Sequence, residues 1–128
     1  MVAINSDDIS QFPDDCPDRM KEDARLYGYP FPYLYDGTQQ VAKLFGVSAI
    51  PDFFIFDKAG KLTYHGQMDD SRPDNGRPVT GRDIRRALDA VLSGKLPLLN
   101  QKQTSGSFLK WKKGNEPFYF RSIPEITN

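Results

Sequence analysis

The sequence predicts an α/β domain with a mixed sheet. Short apolar segments of strand-like composition lie at residues 2–5, 53–56 and 62–65, and amphipathic helical patterns alternate with them. The length of 128 residues suits one compact domain, and 38% hydrophobic residues, with 12% aromatic ones, supply enough apolar surface for a core. These observations exclude a wholly disordered chain.

The first part of the chain predicts a strand followed by a helix. Residues 2–5 are apolar and stop at a polar run, which is typical of a short buried strand. Residues 17–27 predict a helix, because Pro17 suits the first helical position and Gly28 suits the residue after the last turn. The apolar stripe of this helix consists of Met20, Ala24 and Tyr27.

An extended connection and a second helix follow. Two prolines exclude helix from residues 29–33, whose aromatic side chains we expect to pack on the core. Asp36 and Gln39 have the spacing of a capping box, which predicts a short helix ending at Gly46. The apolar face of this helix comprises Val41, Leu44 and Phe45.

The middle of the chain predicts a β-hairpin. Residues 53–56 are apolar on both faces, as expected of a central strand in a sheet that is covered on both sides. Residues 58–61 favour a tight turn, and residues 62–65 alternate like a half-buried strand. Residues 69–78 contain prolines and charges without periodicity, which predicts a surface loop.

A third helix and a C-terminal extension complete the prediction. Thr80 is the expected cap of a helix whose apolar residues recur at helical spacing. The chain then becomes polar, and residues 108–111 and 118–120 have strand-like composition. We therefore predict a domain over residues 1–96 and a C-terminal extension over residues 97–128 that packs on the domain or on a partner chain.

Composition restricts the function. The 17 basic and 17 acidic residues give a formal net charge of +0, so there is no electrostatic basis for binding nucleic acid. No apolar run approaches the roughly 20 residues of a membrane-spanning helix, and the N-terminal residues lack a signal-peptide pattern, so we expect a cytoplasmic protein without membrane contact. A single cysteine, Cys16, excludes a disulfide or a two-cysteine redox cycle within these 128 residues.

Several strings taken together resemble a known family. The strings are VAINSDD, FPDD with PDRMKEDA, YPFPYLYD with TQQVAKLFG, IPDFFIFDKAGKLTYHGQMDDSRP and LKWKKGNEP. They are similar to redoxins related to alkyl hydroperoxide reductase and thiol-specific antioxidant proteins, and they extend over almost the whole chain. The resemblance implies a thioredoxin-like three-layer fold with a mixed sheet.

The resemblance gives no catalytic residue in this chain. In the family, a strand and a helix with the reactive cysteine come before the strand that resembles residues 2–5, so we expect a fold that is incomplete at the N-terminal side. We expect residues 118–120 or a second copy of the chain to fill the resulting gap in the sheet. Two further cysteines of the family correspond to Ala49 and Ser107.

The resemblance does imply a binding loop. Ala49, Ile50 and Pro51 correspond to the cis-proline loop with which thioredoxin-like proteins present backbone groups to an extended thiol substrate, so a thiol protein is an expected partner. A cis bond before proline costs only about 0.5–1 kcal/mol. The other interpretation of these residues is a simple turn that leads into the following strand.

Other candidate residues have simpler explanations. Cys16 precedes a helix, which favours a thiolate, but neighbouring carboxylates oppose it; we interpret it as an incidental thiol, with slow peroxide or mixed-disulfide chemistry as the alternative. His65 is the only histidine, and no spaced ligand set accompanies it, so we predict no metal and no cofactor. We interpret Asp69, Asp70 and Asp74 as part of a solvated loop, and the lysines around Trp111 as ordinary surface.

Two functions therefore stay open at this point. One is a thiol oxidoreductase or peroxidase of the redoxin family that is weak or inactive because the usual cysteines are absent. The other is a domain without enzymatic activity that forms oligomers or binds a partner. Peroxide turnover with a dithiol reductant separates the two.

Overall fold

A computed structural model describes residues 1–122 of the protein. Its elements confirm an α/β fold, and the chain divides into two compact units. The first unit comprises Met1–Ser48 and the segment from Leu109 onwards, and the second comprises Ala49–Phe108. The elements are β1 (Ala3–Asn5), α1 (Pro17–Leu26), β2 (Tyr33–Tyr35), α2 (Gln40–Phe45), β3 (Ala49–Ile50), β4 (Phe53–Phe56), β5 (Leu62–Gly66), α3 (Arg82–Leu92) and β6 (Ser107–Phe108).

The first unit contains a parallel pair of strands. The predicted strand at residues 2–5 is present as β1. A second strand that was not predicted, β2, begins at Tyr33, the last residue of the expected extended connection, and pairs with β1. Ile4 lies opposite Leu34, and these side chains are 45% and 50% exposed. The expectation that this strand is buried is therefore wrong, because opposite residues share a face of the pair and this face is open to solvent.

Helix α1 has the predicted bounds but a narrower buried stripe. The chain leaves the helix through Gly28, whose φ of +62° glycine adopts without steric cost. Of the predicted stripe only Met20 is buried, whereas Tyr27 is 69% exposed. Tyr27 stacks on Tyr29 and Tyr29 stacks on Phe31, so the aromatic residues after the helix pack on one another.

Helix α2 forms as predicted, but the capping box is wrong. The carboxylate of Asp36 accepts hydrogen bonds from the backbone N–H groups of Val41 at 3.3 Å and Ala42 at 3.0 Å, so it caps the helix alone. Gln39 has a left-handed backbone, with φ of 62°, and its side chain turns into the protein. Leu44 is 81% exposed, so the apolar face of this six-residue helix is narrower than predicted.

Hydrogen bonds of the Gln39 side chain connect the segment from Leu109 onwards to the rest of the first unit. The Gln39 amide donates to the carbonyl oxygens of Ser6 at 2.7 Å and Lys110 at 2.9 Å. Its side-chain oxygen accepts from the Lys112 backbone N–H at 3.0 Å and from the Asn115 side chain at 2.9 Å. The core of the unit comprises Met20, Ala42, Leu109 and Trp111, so Trp111 is buried between lysines that the sequence analysis interpreted as surface.

Residues 118–120 do not form the expected strand. They belong to a 3-10 helix, Phe118–Ser122, and the Tyr119 hydroxyl donates to the carbonyl oxygen of Val47 at 2.9 Å. The expectation that they repair a gap in the sheet is wrong for the described residues, since they add no strand and the Tyr119 hydroxyl instead binds carbonyl oxygens near the end of α2. Strand-like composition did not distinguish a strand from a 3-10 helix, because aromatic residues are favoured by side-chain packing as much as by an extended backbone.

The second unit is built on the predicted β-hairpin. Strands β4 and β5 pair antiparallel, with Phe54 opposite His65 and a register irregularity between Ile55 and Phe56. Tyr64 is 1% exposed and forms the core of this unit with Ala87 and Ala90 of α3. Within residues 1–122, β4 pairs with β5 alone, so the expectation that it is a central strand is wrong in this structure.

Candidate functional site

The predicted binding loop lies where β3 ends. The Ile50–Pro51 peptide bond is cis, as the resemblance implies. Pro51 is exposed, and Ala49 and Ile50 are partly exposed. The loop therefore lies at the surface of the second unit.

An open cavity of about 350 Å³ adjoins this loop. Its walls come from three segments of the second unit, namely the loop with β4, the long connection before α3, and the residues just before β6. The apolar part of the lining comprises Ile50, Pro51, Phe53, Met68 and Val79. A cavity of this size and lining matches the smaller ligand sites of proteins.

The loop backbone already has a neighbouring strand. Strand β6 pairs antiparallel with β3, with Ala49 opposite Phe108 and Ile50 opposite Ser107. Gly106 packs so closely that a Cβ atom there would collide with the carbonyl oxygen of Ile50. The predicted strand at residues 108–111 is thus present only at its start, and the sequence did not indicate that it lies against the binding loop.

An acid and a histidine beside the loop form a pair that the sequence analysis missed. Nε2 of His65 lies 2.7 Å from Oδ2 of Asp52, whose side chain is only 8% exposed. The Thr104 hydroxyl donates to the other carboxylate oxygen at 2.6 Å. The His65 ring also stacks on Phe54, with ring centroids 4.1 Å apart. The signal for this pair was weak: an acid follows the loop, and the only histidine lies on the partner strand of the hairpin.

The interpretation as a solvated loop is wrong for Asp69 and Asp70, whereas Asp74 is exposed as expected. Oδ2 of Asp69 accepts hydrogen bonds from the backbone N–H groups of Gly81 at 2.7 Å and Thr80 at 2.9 Å, just before α3 begins. The bond from Gly81 is the main reason that the pKa of Asp69 lies below its usual range. The residue that caps α3 is Gly81, with a left-handed backbone, so the expectation that Thr80 is the cap is wrong. The Thr80 hydroxyl accepts a bond from the Arg82 N–H at 3.2 Å.

Asp70 continues this network and holds the loop against its neighbours. Gln67 and Lys102 donate to one of its carboxylate oxygens at 2.9 and 3.2 Å, and Arg82 donates to the other at 2.8 Å. The hydrogen bond from Gln67, followed by those from Lys102 and Arg82, lowers the pKa of Asp70. These acids therefore order the loop that forms one wall of the cavity.

Cys16 lies at the N-terminus of α1 in the first unit. Its thiol receives no hydrogen bond or ion pair within residues 1–122, and Asp14, Asp15 and Asp18 surround it in sequence. Burial raises the pKa of Asp15, and the Asp7 carboxylate adds to this shift. Cys16 thus lies at a helix N-terminus among acidic residues.

The described residues contain neither a metal-binding cluster nor a membrane-spanning helix. In the described part of the chain, no three His, Cys, Asp or Glu side chains come together in a way that would hold a metal ion. None of the helices between residues 1 and 122 is both long enough and apolar enough to span a bilayer.

The fold and the loop agree with a known class of proteins. The chain belongs to the AhpC/TSA family, whose pattern matches residues 1–65. The match includes the loop Ala49–Pro51 and both members of the Asp52 and His65 pair. No curated protein matches the chain.

Two solved structures are similar to this chain over most of its length. An uncharacterized conserved protein from Geobacillus kaustophilus is 56% identical, with a TM-score of 0.83 over 87% of this chain and 59% of its own. A hypothetical protein from Sinorhizobium meliloti is 49% identical, with a TM-score of 0.84 over 87% of this chain and 61% of its own. The chain therefore spans less than two thirds of either protein.

Proposed function

We propose that the protein is a thioredoxin-like three-layer domain that binds an extended, thiol-bearing polypeptide at Ala49, Ile50 and Pro51, and that its own thiol chemistry is weak or absent. The observation that carries the proposal is the place of its one cysteine. Cys16 is at the start of α1 in the first unit, whereas the loop belongs to the second. The unit that carries the loop, Ala49–Phe108, contains no cysteine, so it offers a surface for a thiol partner and supplies no thiol itself.

The setting of Cys16 supports weak chemistry. A reactive thiol needs a basic neighbour or another source of positive potential, and a second thiol normally resolves its oxidised form. Acidic residues flank Cys16, and these 128 residues contain no second cysteine. Oxidation of Cys16 would therefore be slow and would stop after one event.

The setting of the loop supports binding. Pro51 is exposed, and the adjoining cavity of about 350 Å³ has room for a side chain of a bound polypeptide. Backbone groups at the end of a short strand recognise extended polypeptides by adding a strand, and an adjacent cavity selects the side chain. The cavity lining favours an apolar side chain.

A peroxide assay tests the enzymatic half of the proposal. Wild type and Cys16→Ser are incubated with hydrogen peroxide and dithiothreitol, and peroxide consumption is compared with that in buffer alone. We expect both proteins to match the buffer. Turnover in wild type that disappears in Cys16→Ser would contradict the proposal and support a one-cysteine peroxidase.

A binding assay tests the other half. A fluorescent peptide with one cysteine flanked by apolar residues is titrated with wild type, Ile50→Asp and Leu99→Asp, and anisotropy is measured. A charge at Ile50 disrupts the apolar lining, so we expect affinity to fall at least about tenfold, or 1.4 kcal/mol. Leu99 is 98% exposed and is the matched control. Equal affinity for all three proteins would exclude the loop as the binding site.

A second candidate function is self-association, which the exposed Ile4 and Leu34 favour. Both side chains lie on one face of the β1–β2 pair, and such exposed apolar faces mark interaction sites. Light scattering is expected to show a dimer in wild type and a monomer in Ile4→Lys. A wild-type monomer at high concentration would exclude this function.

We further propose that residues 1–96 form the domain and that residues 97–128 form an extension packed on it. Hydrogen bonds from Thr104 to Asp52 and from Asn115 to Gln39 support packing on the domain. Cytoplasmic location stays a prediction.

A further inference from the structure

We propose that the ligand of the Ala49–Pro51 loop is an extended strand with glycine against the Ile50 carbonyl, and that residues 104–108 of the chain itself occupy this position until a partner displaces them. The inference rests on the proposed function and adds the sequence class of the partner. It also makes binding at the loop a competition between two strands.

The close contact at Gly106 sets the first requirement. Strand β6 lies against β3 with Ser107 opposite Ile50, and a Cβ atom on Gly106 would collide with the Ile50 carbonyl oxygen. Because the colliding atom belongs to the backbone, a change of rotamer cannot relieve the contact. A strand that takes this place therefore needs glycine at the corresponding position.

The hydroxyl of Thr104 sets the second requirement. It donates to the buried carboxylate of Asp52 at 2.6 Å, two residues before Gly106 along the strand. Bonds to a charged acceptor are stronger than bonds between neutral groups. The recognised segment is therefore serine or threonine, then any residue, then glycine, in an extended conformation.

The occupying segment is anchored on both sides, and at the loop itself it is held by the Thr104 bond and a short pairing with β3. Upstream, the Gln67 N–H donates to the carbonyl oxygen of Lys102 at 3.0 Å, and Gln101 donates to the carbonyl oxygen of Thr63 at 3.0 Å. Downstream, the N–H of the buried Leu109 donates to the carbonyl oxygen of Ser48 at 2.9 Å. From residue 104 to residue 108, no side chain is fully buried, and the pairing with β3 covers only two residues. Little apolar burial opposes release of residues 104–108, so a partner strand that supplies the same hydroxyl bond to Asp52 and the same pairing with β3 can replace them while the anchors on both sides stay in place.

The variant Gly106→Val tests the inference. The valine side chain cannot fit against Ile50, so it expels residues 104–108 from the loop. Gln103→Val, at an exposed position, is the matched control for adding a β-branched residue to the segment. The probe is a fluorescent peptide with the sequence KQTSGSFL, residues 102–109 of the chain, and its binding is measured by anisotropy.

The expected result is stronger binding to the open loop. Gly106→Val should bind the peptide at least about tenfold more tightly than wild type or Gln103→Val. A peptide with valine in place of glycine should bind Gly106→Val at least about tenfold more weakly than KQTSGSFL. Equal binding of the two peptides, or equal binding by all three proteins, would overturn the inference.

A second variant covers the case in which Gly106→Val does not fold. Thr104→Val removes the hydroxyl and keeps the shape of the side chain, and hydrogen exchange is measured for residues 104–108. We expect faster exchange there than in wild type and unchanged exchange in α3. Unchanged exchange in the segment would overturn the inference.

The thiol peptide of the proposed function distinguishes the two failures. If the thiol peptide binds wild type and Gly106→Val equally and KQTSGSFL does not compete with it, the proposed function stands, and the inference that residues 104–108 occupy the binding position fails. If KQTSGSFL binds Gly106→Val and the thiol peptide binds neither protein, the inference about residues 104–108 stands, and the proposal of a thiol-bearing partner is wrong.

Discussion

Replacement of Gln39 by alanine is the most direct test of how the first unit is held together. The Gln39 side chain is 0% exposed, and its amide group makes four hydrogen bonds, two donated and two accepted. Gln39→Ala removes all four and leaves backbone groups of Ser6, Lys110 and Lys112 without these partners. Alanine keeps a side chain at the left-handed backbone of residue 39, so the comparison isolates the lost hydrogen bonds.

The expected loss of stability follows from these contacts. A hydrogen bond contributes about 0.5–1.5 kcal/mol net, so four give roughly 2–6 kcal/mol. Water that enters the vacated space restores part of this, and we expect a loss of about 3 kcal/mol. That is a large fraction of the roughly 5–15 kcal/mol that separates a folded domain from its unfolded state.

Urea unfolding followed by tryptophan fluorescence measures this loss. Trp111 is the only tryptophan and is buried next to Lys112, so its emission reports on the same unit. With a denaturant slope of about 1–3 kcal/mol per molar, the midpoint should fall by about 1–3 M. Gln40→Ala, at the adjacent exposed position, is the control and should unfold like wild type. A Gln39→Ala loss below about 1 kcal/mol, or one equal to that of the control, would refute the reasoning.

Three further predictions concern the second unit. Burial raises the pKa of Tyr64 to about 12. The stability that the neutral Tyr64 hydroxyl contributes is therefore present below about pH 10 and is lost as pH rises towards 12. Tyr64→Phe should show a smaller decrease of melting temperature over this alkaline range in thermal denaturation. The pKa of Asp69 is lowered, so the stability that its carboxylate contributes is present above about pH 4 and is lost on acidification. Asp69→Asn should melt at a lower temperature than wild type at pH 7, and its melting temperature should depend less on acidic pH. An unchanged dependence of the melting temperature on pH would contradict the hydrogen-bond network around Asp69. Asp52→Ala should cost about 1–3 kcal/mol in urea unfolding, more than His65→Gln, because the carboxylate also accepts the Thr104 hydroxyl; equal losses, or the opposite order, would show that the Thr104 bond adds no stability.

Local patterns predicted the elements whose stabilising interactions are close in sequence. Helix α1 follows from Pro17 and Gly28, and the β4–β5 hairpin follows from two apolar segments around a turn. Strand β2 was missed because its three residues lie between aromatic residues that read equally well as a connection. A strand this short is recognised only through its partner, β1.

The candidate site was predictable only in part. The loop Ala49–Pro51 came from resemblance to a family, and the cis bond agrees with it. The pair of Asp52 with His65 depends on the register of the hairpin, and the hydroxyl that holds Asp52 comes from Thr104, far along the chain. No single-sequence pattern relates residues so far apart.

By itself, the amino-acid sequence determined the α/β fold class, the places of the longer elements and the scarcity of thiols, because composition and periodicity act within a few residues. The family came from resemblance. The tertiary structure alone decided that Gln39 is a buried centre of hydrogen bonds, that Trp111 is core, and that Gly106 lies against the binding loop. These features depend on which distant backbone groups meet. Chain topology and packing determine these long-range contacts, and local conformational preference does not.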